Sequence, residues 1–159
     1  MIIKTQSGNA VNVANSTNAQ CFKQKEEVDW RSWKPKRGEI YLINLENSGI
    51  GSEQKNIRPF AILSNNVGNA MGSILVGCSI TSKDKTMPKI HVKVGKKEGL
   101  KLENSYIMVE HIRSVDKRRF FINNNYPMKV GELSSQKLKE VEESIMFELG
   151  FGSSNRLQI

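Results

Sequence analysis

From Lys36 onward the chain breaks into short runs of β-branched and aromatic residues, each closed within a few positions by Gly, Asn or Pro. Spacing of this kind favours a small, strongly bent antiparallel barrel. The candidate strands are 39–45, 59–64, 73–79, 90–94 and 106–109. A loop over 46–57, containing Ser48-Gly49-Ile50-Gly51, separates the first two. Asn65-Asn66-Val67-Gly68-Asn69 and Gly95-Lys96-Lys97-Glu98-Gly99 read as turn-like links. With 159 residues the chain can bury one core but not two independent ones.

One helix is signalled near the end. Ser134 can cap it, and Leu133 can staple onto Leu138 across the cap. Leu138, Val141, Ile145 and Leu149 then recur on one face, and Gly150 suits a left-handed stop. Lys139 and Glu143 are spaced for an ion pair on the opposite side. The pattern describes a scaffold helix and carries no chemistry.

Residues 1–33 differ in texture. Up to Phe22 they are rich in Asn, Ser, Gln and Thr without periodicity, which predicts a polar, disordered leader. Residues 23–33 can form two helical turns before Pro35, with Trp30 and Trp33 on one face, either packed against the barrel or stacked on bases. The expected division is a leader over 1–33, a barrel domain over 34–150 and a tail over 151–159, with the barrel folding without the leader. Cys21 and Cys78 make neither a disulfide framework nor a metal motif, and Cys78 lies in an apolar run that predicts a buried, inert thiol. No apolar stretch approaches the length needed to cross a membrane, and a reduced cytoplasmic setting fits.

The net charge of +8 is unevenly placed. Residues 1–33 carry four basic and three acidic side chains, residues 34–126 sixteen and eight, and residues 127–159 four and five. The whole excess therefore falls in the middle segment. A cationic face of that kind suits a polyanion, although solvated lysine-rich surfaces without a ligand are also common.

The informative stretches fall within the same segment. Lys36-Arg37-Gly38-Glu39-Ile40-Tyr41-Leu42 is followed by Gly51-Ser52-Glu53-Gln54-Lys55-Asn56-Ile57-Arg58-Pro59 and Ser64-Asn65-Asn66-Val67-Gly68-Asn69. Ser79-Ile80-Thr81-Ser82 and Met87-Pro88-Lys89-Ile90-His91-Val92 come next, and Val109-Glu110-His111-Ile112-Arg113-Ser114-Val115-Asp116-Lys117 closes the series. In this order and spacing they resemble the MazF/PemK toxins, over roughly residues 34 to 150. The Gly-Ser-Glu-Gln…Arg-Pro loop, the Thr after a buried strand and the Glu-x-Ile-Arg-x-x-Asp run are specific when taken together.

The resemblance implies an α+β, mainly β fold: a small SH3-like antiparallel barrel with a C-terminal α-helix, assembled as a homodimer. It implies endoribonuclease activity on single-stranded RNA, restrained by a cognate antitoxin protein. In the chromosomal branch of the family the Arg before Pro and the Thr after the strand are the catalytic pair, which here are Arg58 and Thr81. A plasmid branch uses a His and an Arg at positions that here hold Ser52 and Met108, so its chemistry does not carry over. His111 stands where the family usually has Gln, a departure that bears on base preference.

The chemistry of RNA cleavage by internal attack gives these residues roles. The 2′-OH must lose a proton, the phosphorane's negative charge must be stabilised, and the 5′ oxygen must gain a proton. Arg58 offers a planar fork of donors that fits phosphate oxygens. It would be a poor base, since moving a pKa from above 12 to near 7 costs roughly 7 kcal/mol. Thr81 can donate its hydroxyl to the same phosphate. Glu53, on the same loop as Arg58, has two readings: general base, or a side chain that orients Arg58 or the loop. His91 and His111 allow a two-histidine alternative, though His91 on a strand is more often structural and His111 can meet a base edge. Ser52, Gln54, Lys55, Ser82, His91, Glu110 and His111 form the expected RNA-contacting set. No metal site and no cofactor are expected. Two rival classes remain open at this point: a gyrase poison of the CcdB type, whose Trp-Gly-Ile ending this chain lacks, and a catalytically silent RNA- or antitoxin-binding relative.

Overall fold

Every strand pairing is antiparallel, and one long strand organises the rest. The computed structural model describes residues 29–46, 50–51, 53–83, 87 and 89–151. Its strands are β1 Glu39–Asn44, β2 Ile57–Ile62, β3 Ile74–Thr81, β4 His91–Val94, β5 Ser105–Met108, β6 Arg113–Asp116 and β7 Lys129–Glu132. A short helix α1, Asn66–Met71, follows β2, and α2, Ser135–Glu148, closes the chain. The sheet order is β4-β5-β3-β2-β1-β7, with β6 also on β3. On one edge β3 pairs first with β6 and then, at Ile80 and Thr81, with β5, while its other edge pairs with β2. One strand thus serves two sheets, and the sheet curls into a half-barrel.

Burial on both faces of this curl explains the short apolar runs. Ile40, Ala61, Leu63, Cys78, Ile80, Val92 and Ile107 share one cluster, against which Leu138 and Ile145 of α2 pack. Tyr41, Ile43, Phe60, Ile62, Leu75, Val115 and Phe120 make the other. A register shift between Ile40 and Tyr41 in the β1–β7 pairing bends the edge of the sheet there. Gly77 lies at the fold of β3, where a Cβ would come within 2.1 Å of the Ala61 carbonyl oxygen. Any larger residue would force β2 and β3 apart.

Five of the seven strands fall where the sequence places them, shifted by one or two residues. The other two, β6 and β7, are additions. The Asn65–Asn69 link is helical: the Asn65 side chain caps α1 by accepting from Gly68 N at 2.8 Å. Ser134 caps α2 as expected, accepting from Lys137 N, and Leu133 and Leu138 meet in the first cluster. Leu149, however, follows the helix and is 50% exposed, so the buried face of α2 ends at Ile145. Lys139 and Glu143 make no ion pair; Lys137 instead holds Glu140 at 2.6 Å.

The two tryptophans part company. Trp33 is 4% exposed and packs edge-on to Tyr41 and against Phe120, whereas Trp30 stays half-buried under the Arg31 guanidinium. Residues 29–33 form a turn, and the rest of the expected 23–33 helix lies outside the described residues. Beneath Trp33, Lys117 is 1% exposed, and its ammonium donates to the carbonyls of Trp33 (3.1 Å) and Asn69 (2.6 Å). Burial, with help from the charge on Lys34, lowers its pKa. Among the described residues no helix is long and apolar enough to cross a membrane.

Candidate active site

Strand register brings the key pair together. Phe60 faces Ser79 and Ala61 faces Cys78 where β2 pairs with β3; Arg58 lies two residues before Phe60 and Thr81 two after Ser79, just beyond the paired residues and in phase with them. Residues opposite one another project to the same side of a sheet, so two positions far apart in sequence share one face. Both open onto a cleft of about 920 Å³ whose lining includes Glu53, Gln54, Lys55, Arg58, Thr81, Ser82 and Lys83. Its opposite wall comes from Gly99, Leu100, Lys101, Leu102, Met128 and Val130. That wall depends on β7 lying against the turn at 95–99. At Gly131 a Cβ would come 1.9 Å from the Glu98 carbonyl oxygen, so glycine alone permits the contact.

The cleft is cationic. Among the described residues Lys55, Arg58, Lys83 and Lys101 line it against a single carboxylate, Glu53. Arg58 is half-buried, and desolvation lowers its pKa. Its guanidinium remains hydrogen-bonded through Nε and Nη2 to the Lys55 carbonyl. The Thr81 Oγ1 accepts from Lys83 N at 3.2 Å, which leaves its own proton to donate. One oxygen of the exposed Glu53 accepts from Ile50 N at 2.9 Å, closing the loop on itself. No ion pair joins Glu53 to Arg58 among the described residues, and the carboxylate keeps accepting capacity. Gln54 reaches out of the cleft to the Met108 sulfur at 3.1 Å. Ser52 lies outside the described residues.

The remaining expected contacts gather elsewhere. The His91 side chain is only 2% exposed. Its Nδ1 accepts from Met87 N, which makes Nε2 the protonated nitrogen, and Nε2 donates to Glu110 Oε1 at 2.7 Å. His111 Nε2 stands 4.0 Å from the same oxygen. His91, Glu110 and His111 thus form a group of their own, and none of the three lines the Arg58 cleft. Cys78 is buried nearby, and burial together with the Glu110 charge pushes its thiol up to about 12, so it is inert. Cys21 lies outside the described residues. Among the described residues no group of three His, Cys, Asp or Glu side chains is arranged to hold a metal.

Sequence reasoning missed the far wall. Lys101, Leu102 and Met128 fall outside every quoted motif and meet Arg58 only through the β7 contact. Lys101 could have been suspected from the basic excess of the middle segment, but nothing local marks Met128.

A curled antiparallel half-barrel backed by one C-terminal helix, with a cationic cleft at one end, defines the class. Residues 36–149 match the family described as PemK-like, MazF-like toxin of type II toxin-antitoxin system, and the chain belongs to that family. A protein named Endoribonuclease MazF from Staphylococcus saprophyticus is 34% identical over 116 residues, which cover 72% of this chain and 91% of that protein. MazF from Deinococcus radiodurans aligns with a TM-score of 0.61 at 24% identity, covering 74% of this chain and 98% of its own. A MazE-MazF structure from the same organism aligns at 0.59 and 24%, covering 76% and 99%. These structures share a mainly antiparallel β half-barrel with a C-terminal helix, in line with the small SH3-like barrel and helix expected from the sequence.

Proposed function

We propose that this protein is the toxin of a toxin-antitoxin pair and cuts single-stranded RNA by internal attack, without a metal. The observation that carries the reading is that Arg58 and Thr81 line one cationic cleft, in which Glu53 is the carboxylate among the described residues. In this mechanism Glu53 takes the proton of the 2′-OH, and the 2′ oxygen attacks phosphorus. Arg58 and the Thr81 hydroxyl hold the phosphorane oxygens as charge develops. The bond from phosphorus to the 5′ oxygen breaks, and that oxygen takes a proton from Arg58 or from water. The products are a 2′,3′-cyclic phosphate and a free 5′-OH. Lys55, Lys83 and Lys101 would hold flanking phosphates, and the aliphatic wall at Leu100, Leu102 and Met128 would take an unstacked base. A duplex offers neither an unstacked base nor free base edges, so stems should be spared.

The family and the MazE-bound relatives support a protein antitoxin as the partner, acting on a homodimeric toxin, and a cytoplasmic site of action follows from an RNA substrate. Incubation with a defined transcript in excess chelator tests the mechanism. Cleavage should persist, leave the stated ends and stop when one deoxynucleotide replaces the residue at the cut. Loss of activity on chelation, or cutting at the deoxy position, would overturn it in favour of a metal-activated water.

A further inference from the structure

Arg58 carries the proposed chemistry, and one edge of it is already occupied. Its Nε–H donates to the Lys55 carbonyl at 2.7 Å, and one Nη2–H donates to the same oxygen. A guanidinium has five N–H donors in a plane. With two of them on one carbonyl, the edge that remains for a bidentate phosphate runs between Nη1 and Nη2. The Lys55 carbonyl therefore decides which way the fork points.

Asn56 decides where that carbonyl points. Asn56 has φ of 66°, in the left-handed region. The peptide that follows it is fixed, because Asn56 O accepts from Leu45 N at 3.2 Å and prolongs the β1–β2 ladder. The φ angle of a residue sets the plane of the preceding peptide, which here contains the Lys55 carbonyl. With the ladder bond retained, a negative φ would swing that carbonyl away from Arg58. After glycine, asparagine is among the residues that take this conformation at least cost, and β-branched residues resist it most.

We propose that Asn56 is a positioning residue: its left-handed backbone aims the Lys55 carbonyl at the Nε edge of Arg58 and so presents the Nη1–Nη2 edge to the scissile phosphate. The proposal rests on the reading of Arg58 as the phosphate-binding group. It accounts for a non-glycine residue with positive φ two positions before the proposed catalytic arginine.

The test uses the full chain and the variants Asn56→Gly, Asn56→Ala and Asn56→Val, each checked for fold by circular dichroism. The first readout is the Arg58 Nε–H resonance in nitrogen-edited NMR, which is independent of activity. It should be slowly exchanging in the wild type and in Asn56→Gly, and exchange-broadened in Asn56→Val. The second readout is single-turnover cleavage beside affinity for a fully 2′-O-methylated copy of a cleaved RNA. Asn56→Gly should keep the rate, while Asn56→Val should lose about tenfold or more in rate with affinity changed less than about threefold. Asn56→Ala should fall between, and it replaces Asn56→Val if that variant does not fold. A protected Nε–H together with a full rate in folded Asn56→Val would overturn the positioning role, as would an unprotected Nε–H in the wild type. A wild type that cuts no RNA would instead overturn the nuclease reading, and the resonance would still decide the geometry.

Discussion

The cleft around Arg58 and the cluster around His91 hold similar side chains, basic groups beside a carboxylate, yet they differ in what those groups have left to give. At His91 the ring's polar capacity is taken up by the protein. The imidazole accepts from Met87 N, donates to Glu110, and is nearly closed off from solvent. In the cleft the groups are only partly committed. Among the described residues Arg58 keeps three of its donors, Thr81 keeps its proton, and Glu53 has one oxygen without a hydrogen bond to it. Polar groups that serve the fold are satisfied by the protein, and polar groups that serve a ligand are held in place but left incomplete. On this criterion we read His91 as a structural histidine and favour the Arg58 cleft over a two-histidine mechanism.

The contrast can be broken most directly at Arg58. Arg58→Ala should cut the cleavage rate by roughly 10²–10³, the loss typical of one donor to developing charge, while the melting temperature barely moves. A folded variant with the wild-type rate would remove Arg58 from the mechanism. Glu53→Gln asks whether the cleft's carboxylate is a base or a loop brace. Glutamine still offers an oxygen to Ile50 N, so the loop should hold. The rate should drop by about 10²-fold, the lower end for a general base, and the decline in rate at acid pH should disappear. A mutant with normal rate and an unchanged acid limb would return Glu53 to scaffolding.

The same contrast predicts the opposite outcome at His91. His91→Ala takes a buried imidazole and its two hydrogen bonds away from the surface groups Met87 N and Glu110, which should destabilise the fold by roughly 1–2 kcal/mol. Below the lowered melting temperature, the rate should stay close to wild type. A stable but inactive His91→Ala would place the cluster in the chemistry after all. The smallest effect is expected at Lys101, on the far wall. Lys101→Ala should weaken binding several-fold regardless of sequence and reduce the slope of log affinity against log salt by about 0.7, as expected for one lost phosphate contact on a single strand. An unchanged slope would mean that the RNA does not cross that wall.

How far the sequence anticipated this depended on what kind of signal each part carries. Strands such as β1 and β3 announce themselves through dense β-branched residues, and α2 through its cap and its 3.6-residue period. β7 reads Lys-Val-Gly-Glu, with one apolar residue and a glycine, and no propensity marks it as a strand. It exists because Gly131 lets the backbone lie on the 95–99 turn, a long-range contact that no local window contains. β6 lay inside a stretch quoted for its charged residues, where Ser114 and Asp116 dilute the strand signal. Arg58 and Thr81 stood out as candidates because their motifs are specific, and both line the same cleft. His91 was ambiguous because one histidine on a strand looks the same whether its ring faces a ligand or a neighbouring carboxylate.

The buried ammonium of Lys117 has a consequence for where this protein can be trimmed. Family resemblance and charge both suggest a clean cut after Trp33. Such a cut would remove one of the two carbonyls that receive the ammonium, along with the indole that covers Tyr41 and Phe120. Losing a buried aromatic typically costs about 3–5 kcal/mol, a large share of what a domain of this size has to spare. A shortened protein starting at Asp29 would keep the lid and its ion anchor. One starting at Lys34 would carry an open seam on its aromatic side, and would melt early with every residue of the cleft still present.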